Sequence, residues 1–241
     1  LIRESDATHL DLRKLHIDCS MALEIIRIGV PAGLQGMAFS LSNVVVQSSI
    51  NSFGSSVIVA GNSASNNIEN FVYIGMSAFT QACITFTSQN VGAKNLRRVK
   101  SIFNHSMVLT TLSAMLMGFL VWFFGEFLLS FYTNDPAVVE AGMLRLFWVS
   151  MFLFLNGVLD VFVSSMRGMG YSSLPTIVML AGICGVRLIW LLLIFPLHRT
   201  LVTIYLCFPL SWTITSIVLG FIWLYCYRHM MRTNGEKAEA N

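Results

Sequence analysis

The stretch IGVPAGLQGMAFSLSNVVVQSSINSFGSSVIVAGNSASNNI, from Ile28 to Ile68, contains no Asp, Glu, Lys or Arg. Similar charge-free windows lie between Lys100 and Glu126, between Arg167 and Arg187, and between Arg199 and Arg228. Each reaches or exceeds the roughly 18–20 apolar residues that a helix needs to cross a bilayer. Across 241 residues, 55% are hydrophobic and only 11% charged, whereas a soluble domain is about one quarter charged. So little charge cannot solvate the outside of a globule, and the chain reads as an all-α multi-pass membrane protein.

Apolar runs set against turn signals give six helical spans, near Gly29–Phe53, Ser63–Gln89, Val99–Phe124, Val138–Ser165, Leu174–Phe195 and Leu201–Tyr227. Three regions follow: residues 1–28 as a cytoplasmic amphipathic segment, 29–227 as a six-helix unit, and 228–241 as a cytoplasmic polar tail. Pro31 suits the first turn of the first span, where its missing N–H costs nothing. The chain opens on Leu1, with a polar start rather than a signal peptide, and reads as part of something longer.

Orientation comes from the connections. All of the 15 Lys and Arg except Arg145, Arg187 and Arg199 fall before the first span, in GAKNLRRVK (Gly92–Lys100), at Arg167, or after the last span. Under the positive-inside rule these ends and turns face the cytoplasm, which places both termini inside the cell membrane. An even number of spans agrees with this, since it puts both termini on one side.

The first two spans are polar on one side. Ser40, Asn43, Gln47 and Asn51 recur at steps of three and four, as do Asn62, Asn66, Glu69, Tyr73 and Ser77, and such steps draw a stripe on one helix face. Two readings are open: the stripes bond to neighbouring helices, or they line a water-filled cavity. The charged residues sharpen the question, because an ionised side chain at the bilayer centre costs at least ~2.5–3.5 kcal/mol. At ~1.5 Å per residue, Asp160 lies roughly 10 Å above Arg167 and Arg187 roughly 20 Å above its inner turn. Arg187 therefore needs a partner, and Asp160 is either a functional carboxylate or a helix–helix anchor. Glu69 and Arg145 come out near the outer ends of their helices, as interfacial residues or as an ion pair.

Enzyme chemistry finds no footing. The five cysteines form no CxxC pair, no metal-ligand spacing occurs, and no nucleophile elbow or catalytic dyad is present. RGMG (Arg167–Gly170) follows no strand and is not a phosphate loop. AGICG (Ala181–Gly185) offers small residues four apart for close helix packing. No cofactor is expected.

LEIIRIGVPAGLQ (Leu23–Gln35), VVVQSSINSFGSSVIVAG (Val44–Gly61), FTSQNVGAKNLRRVK (Phe86–Lys100) and MRGMGYSSLP (Met166–Pro175) resemble, in order and spacing, the multidrug and toxic compound extrusion (MATE) transporters, bacterial Firmicutes members in particular. The resemblance implies one lobe of a twelve-helix, two-lobe transporter, with this chain matching helices seven to twelve and partnered by an N-terminal six-helix lobe. It implies an antiporter that exports cationic or amphiphilic organic compounds in exchange for H⁺ or Na⁺. Sodium-coupled members carry a Glu about eight positions after the helix-seven Pro and an Asp eleven before the RG arginine. These positions are Phe39 and Asn156 here, and Asp160, one turn on, is the substitute carboxylate. The expected cavity residues are Ser40, Asn43, Gln47, Asn51, Asn66 and Tyr73. The expected ion-coupling residues are Asp160, Glu69, Asn156 and Arg187. A lipid-linked oligosaccharide flippase and a non-transporting membrane subunit are the alternatives.

Overall fold

The computed structural model describes residues 18–239, which form six helical rods. The first is α1 (Cys19–Asn51), the second α2 (Ser56–Gly92) and the third α3 (Leu96–Phe123), followed by a short α4 (Gly125–Ser130). The fourth rod joins α5 (Pro136–Arg145) to α6 (Leu153–Gly168) through a wide π turn at Leu146–Ser150. The fifth runs through α7 (Ser173–Met179), a π turn at Leu180–Gly185, α8 (Val186–Ile189) and another π turn at Trp190–Ile194. The sixth is α9 (Leu201–Glu239).

Local chemistry explains the rod ends. The Asp18 carboxylate accepts from the backbone N–H of Ser20 at 2.8 Å and of Met21 at 3.3 Å, which caps α1. With the Ser20 hydroxyl donating as well, these bonds hold the Asp18 carboxyl below the usual aspartate range. Between α1 and α2 the chain turns at Gly54, whose φ of 66° favours a residue without Cβ. Asp135 accepts from the Ala137 N–H at 2.9 Å, with Pro136 occupying the first position of α5.

Two expectations need correction. Pro31 does not open a helix: α1 begins at Cys19 and passes through Pro31. The polar lead-in extends the helix backwards from the apolar span, so residue 28 marks no break, and one absent backbone bond is absorbed inside a long helix. Residues 1–17 of the expected amphipathic segment lie outside the described residues. At the other end, α9 carries on helically past Tyr227 to Glu239.

The six rods are not equally apolar. Five rods are long and apolar enough to cross a membrane, and α2, at 37 residues, is not among them despite its length. Its composition explains this: Asn62, Ser63, Ser65, Asn66, Asn67, Glu69 and Asn70 crowd one half of it. α2 packs against α3, α5 and α6 and buries Val72, Met76 and Cys83 among its neighbours. The peripheral α1 and α3 expose Leu41, Leu112 and Phe119, as lipid-facing helices do.

Close helix contacts depend on missing side chains. A Cβ on Gly61 would meet the Val138 carbonyl oxygen at 2.6 Å, so α2 touches α5 there only because residue 61 is glycine. In the AGICG segment the contact residue is Gly182, which lies against the Thr215 side chain of α9, whereas a Cβ on Gly185 would meet nothing within 4 Å. Near the expected cytoplasmic end, Phe103 of α3 stacks on Trp223 of α9 at 4.0 Å, and the Trp223 indole N–H donates to the Ser165 hydroxyl of α6 at 2.9 Å.

Candidate functional site

Helices α1, α2 and α9 and the fourth and fifth rods, which carry Arg145 and Arg187, line a cavity of about 840 Å³. Its polar wall begins with the stripes. Ser40, Asn43 and Gln47 of α1 line it, as do Asn66, Glu69 and Tyr73 of α2. Asn156, Asp160 and Arg167 enter from α6, and Arg145 and Arg187 from the fourth and fifth rods.

The strongest interaction is the Arg145–Glu69 fork. Arg145 Nε donates to Glu69 Oε1 at 3.1 Å and Nη2 to Oε2 at 2.7 Å, a bidentate pairing. Nη1 donates to Asn62 Oδ1 at 2.6 Å, and Nη2 also reaches Asn66 Oδ1 at 3.0 Å. Arg145 is 4% exposed and Glu69 7%, so of the two open readings the ion pair holds and the interfacial one fails. Burying such a pair carries a desolvation cost, and the surrounding amides supply the additional hydrogen bonds that it requires.

The amide stripes serve both purposes considered for them. Asn62 Nδ2 donates to Gln47 Oε1 at 2.9 Å, and Gln47 Nε2 donates to Asn51 Oδ1 at 3.0 Å. A relay thus runs Arg145–Asn62–Gln47–Asn51 from α5 through α2 to α1, while Gln47 still faces the cavity. Asn51 itself does not line the cavity, contrary to expectation. It is the last residue of α1, beside the Gly54 turn, and its role in the geometry is to hold Gln47. Ser77 is likewise turned away, donating to the Ile74 carbonyl of its own helix at 2.7 Å.

Asp160 stands apart from this network. Its one hydrogen bond among the described residues comes from Asn156 Nδ2 at a long 3.4 Å. Tyr73 and Arg167 lie within electrostatic range, yet Arg167 gives Nη2 to Gln35 Oε1 at 2.6 Å and makes no ion pair with Asp160. Arg187 finds neutral partners: Nε donates to Ser211 Oγ at 3.2 Å and Nη1 to Asn43 Oδ1 at 3.3 Å, with the Phe208 ring 4.3 Å from its guanidinium carbon.

The chain matches the MatE family model over residues 31–193. It belongs to the MatE family. Among curated MatE relatives it is 27% identical over 146 residues to "Probable multidrug resistance protein YpnP" of Bacillus subtilis, covering 61% of this chain and 33% of that protein. It is 30% identical over 145 residues to "Probable multidrug resistance protein NorM" of Listeria monocytogenes, covering 60% and 32%. An outward-facing structure of a multidrug resistance MATE family transporter of the MOP superfamily superposes with a TM-score of 0.82 at 14% identity, over 96% of this chain and 52% of that one. The match thus spans about a third of the curated MatE relatives and about half of the solved MATE chain.

Several cavity residues escaped the sequence reading. Gln35 extends the α1 stripe backwards through Phe39 to Asn43 at steps of four, and continuing the periodicity two turns would have found it. Arg167 was read as part of a turn motif, although seven residues of helix put it on the same side as Asp160. Phe208 and Trp212 lie in an apolar run of α9 where sequence offers no means of telling a cavity aromatic from a lipid-facing one.

Proposed function

We propose that this chain forms one six-helix lobe of a secondary antiporter. In this reading it exports cationic or amphiphilic organic compounds in exchange for inward-moving H⁺ or Na⁺, partnered by a second six-helix lobe. The observation that carries the reading is the position of Asp160. It is a carboxylate without an ion-pair partner among the described residues, and it opens on a cavity of about 840 Å³ walled by amides, hydroxyls and aromatics. A volume of roughly 300–1,000 Å³ suits a drug-sized guest. A carboxylate free of a salt bridge can exchange a proton or a metal cation, whereas Glu69, held on both oxygens by Arg145, cannot do so without breaking the fork. Alternating access follows from motion of one lobe against the other, and guest and ion then compete through the same cavity. Export from the cytoplasm requires both termini and the Lys94 loop to lie on the cytoplasmic side, as the charge distribution implies.

The flippase alternative calls for a cavity rich in available positive charge. Arg145 is paired with Glu69, and Arg167, tied to Gln35, lies within electrostatic range of Asp160, so the available positive charge of the cavity comes down to Arg187. The test is to fill the cavity. In the intact protein, Ser40→Trp and Asn66→Trp should abolish dye efflux and drug resistance with normal membrane expression. Undiminished efflux from both variants would refute the cavity as the transport path.

A further inference from the structure

The charges lining the cavity do not balance. Arg145, Arg167 and Arg187 face Glu69 and Asp160. Glu69 commits both oxygens to Arg145, and Asp160 shares the lower part of α6 with Arg167. Arg187 has no carboxylate partner among the described residues. It is only 3% exposed, and it sits between two π turns of the fifth rod. Such wide turns often accompany functional sites. Arginine does not shed its proton to relieve burial, so this positive charge is permanent and calls for an anion.

The surroundings are arranged for one. Ser211 and Asn43 occupy Nε and Nη1 through neutral oxygens, and Nη2 takes no partner among the described residues. Because Asn43 turns its Oδ1 to the guanidinium, its Nδ2 amide remains available to donate. The Phe208 ring lies 4.3 Å from the Arg187 guanidinium carbon and the Trp212 ring 5.9 Å, and both rings line the cavity. A guanidinium edge, an amide donor and two aromatic faces therefore meet at one end of the cavity.

We infer that Arg187, Asn43, Phe208 and Trp212 form a subsite for the carboxylate of an aromatic, amphiphilic organic substrate. The carboxylate pairs with the Arg187 fork and accepts from Asn43, and the ring of the substrate packs on Phe208 and Trp212. An amine on the same substrate would be directed to Asp160. The inference rests on the reading of the cavity as a transport chamber.

Equilibrium dialysis of the purified protein in phosphatidylcholine nanodiscs tests it, with 2-naphthoate, methyl 2-naphthoate and 2-naphthylmethylammonium as probes. Arg187→Gln should weaken 2-naphthoate binding by about tenfold or more, the loss of a charge-assisted bidentate contact, and leave the ester unchanged. Arg187→Lys, which keeps the charge without the planar fork, should retain part of the preference for the acid. Equal changes for acid and ester in Arg187→Gln would overturn the subsite, as would Arg187→Lys behaving no better than Arg187→Gln. Displacement of naphthoate by excess chloride as readily as by unlabelled naphthoate would overturn it too, by making it a site for bare inorganic anions. Failure of all three probes to bind the unmodified protein would bring down the chamber reading and the subsite together. Binding of the ester and the ammonium without preference for the acid would bring down the subsite alone.

Discussion

Asp160 and Arg167 lie seven residues apart on α6 and line the same cavity, yet they make no ion pair. Arg167 instead reaches across to Gln35 of α1 at 2.6 Å. This leaves the carboxylate within range of a fixed positive charge but unbound by it, an arrangement in which an incoming cation and the arginine compete. Gln35→Ala should release Arg167 toward Asp160 and so weaken cation dependence of transport by several-fold, within the span usual for coupled sites. The check is the Na⁺ or pH dependence of dye efflux; an unchanged dependence would remove Gln35 from the account.

The Arg145–Glu69 fork should behave as a structural clamp. Removing one partner strands a buried charge, so Glu69→Gln and Arg145→Met are each expected to destabilise the protein by about 3–5 kcal/mol. The double variant Glu69→Gln/Arg145→Met should recover much of that loss, since an uncharged pair no longer suffers the desolvation cost. Thermal unfolding in detergent, followed by size-exclusion fluorescence, gives the comparison. Additive losses in the double variant would contradict a coupled pair.

Helix contact at Gly61 gives a third expectation. Gly61→Ala places a Cβ 2.6 Å from the Val138 carbonyl oxygen, and should cost about 1–3 kcal/mol, typical of overpacking. Gly185→Ala is its control, because a Cβ there meets nothing within 4 Å. Equal melting temperatures for the two variants would show that the α2–α5 approach is not tight.

Single cysteines separate the two faces of the membrane. One placed at Lys94 should react with a membrane-impermeant maleimide only after the cell is opened, and one at Asn134 should react on intact cells. The positive-inside argument would fail on the reverse pattern.

The bilayer constraint made much of this fold legible, because charge-free windows and turns locate the rods without any knowledge of packing. The face of each polar stripe was legible too, since Asn43, Gln47, Asn66, Glu69 and Tyr73 all come to one cavity. Other features depend on contacts that no local pattern carries. Arg145 and Glu69 are 76 positions apart, and either could have faced the interface until α2 and α5 were seen to meet at Gly61. The π turns at Leu146–Ser150 and Leu180–Gly185 shift the helical phase by a fraction of a turn, too little to register in runs with almost no polar side chain to mark a face. The continuation of α1 back to Cys19 was hidden because Pro31 looks like a start signal, and a proline is tolerated wherever the surrounding helix is long enough to absorb it.

The most direct measurement of the central claim is gradient-driven transport by the intact protein in proteoliposomes, comparing the unmodified protein with Asp160→Asn. The substitution removes the charge and keeps the shape, and Asn156 still has an oxygen to address. With an imposed H⁺ or Na⁺ gradient, substrate movement should fall about tenfold or more in Asp160→Asn, while substrate exchange at equilibrium, which needs the cavity but not the ion, persists. Gradient-driven movement at the unmodified rate would contradict the account and make Asp160 a packing residue.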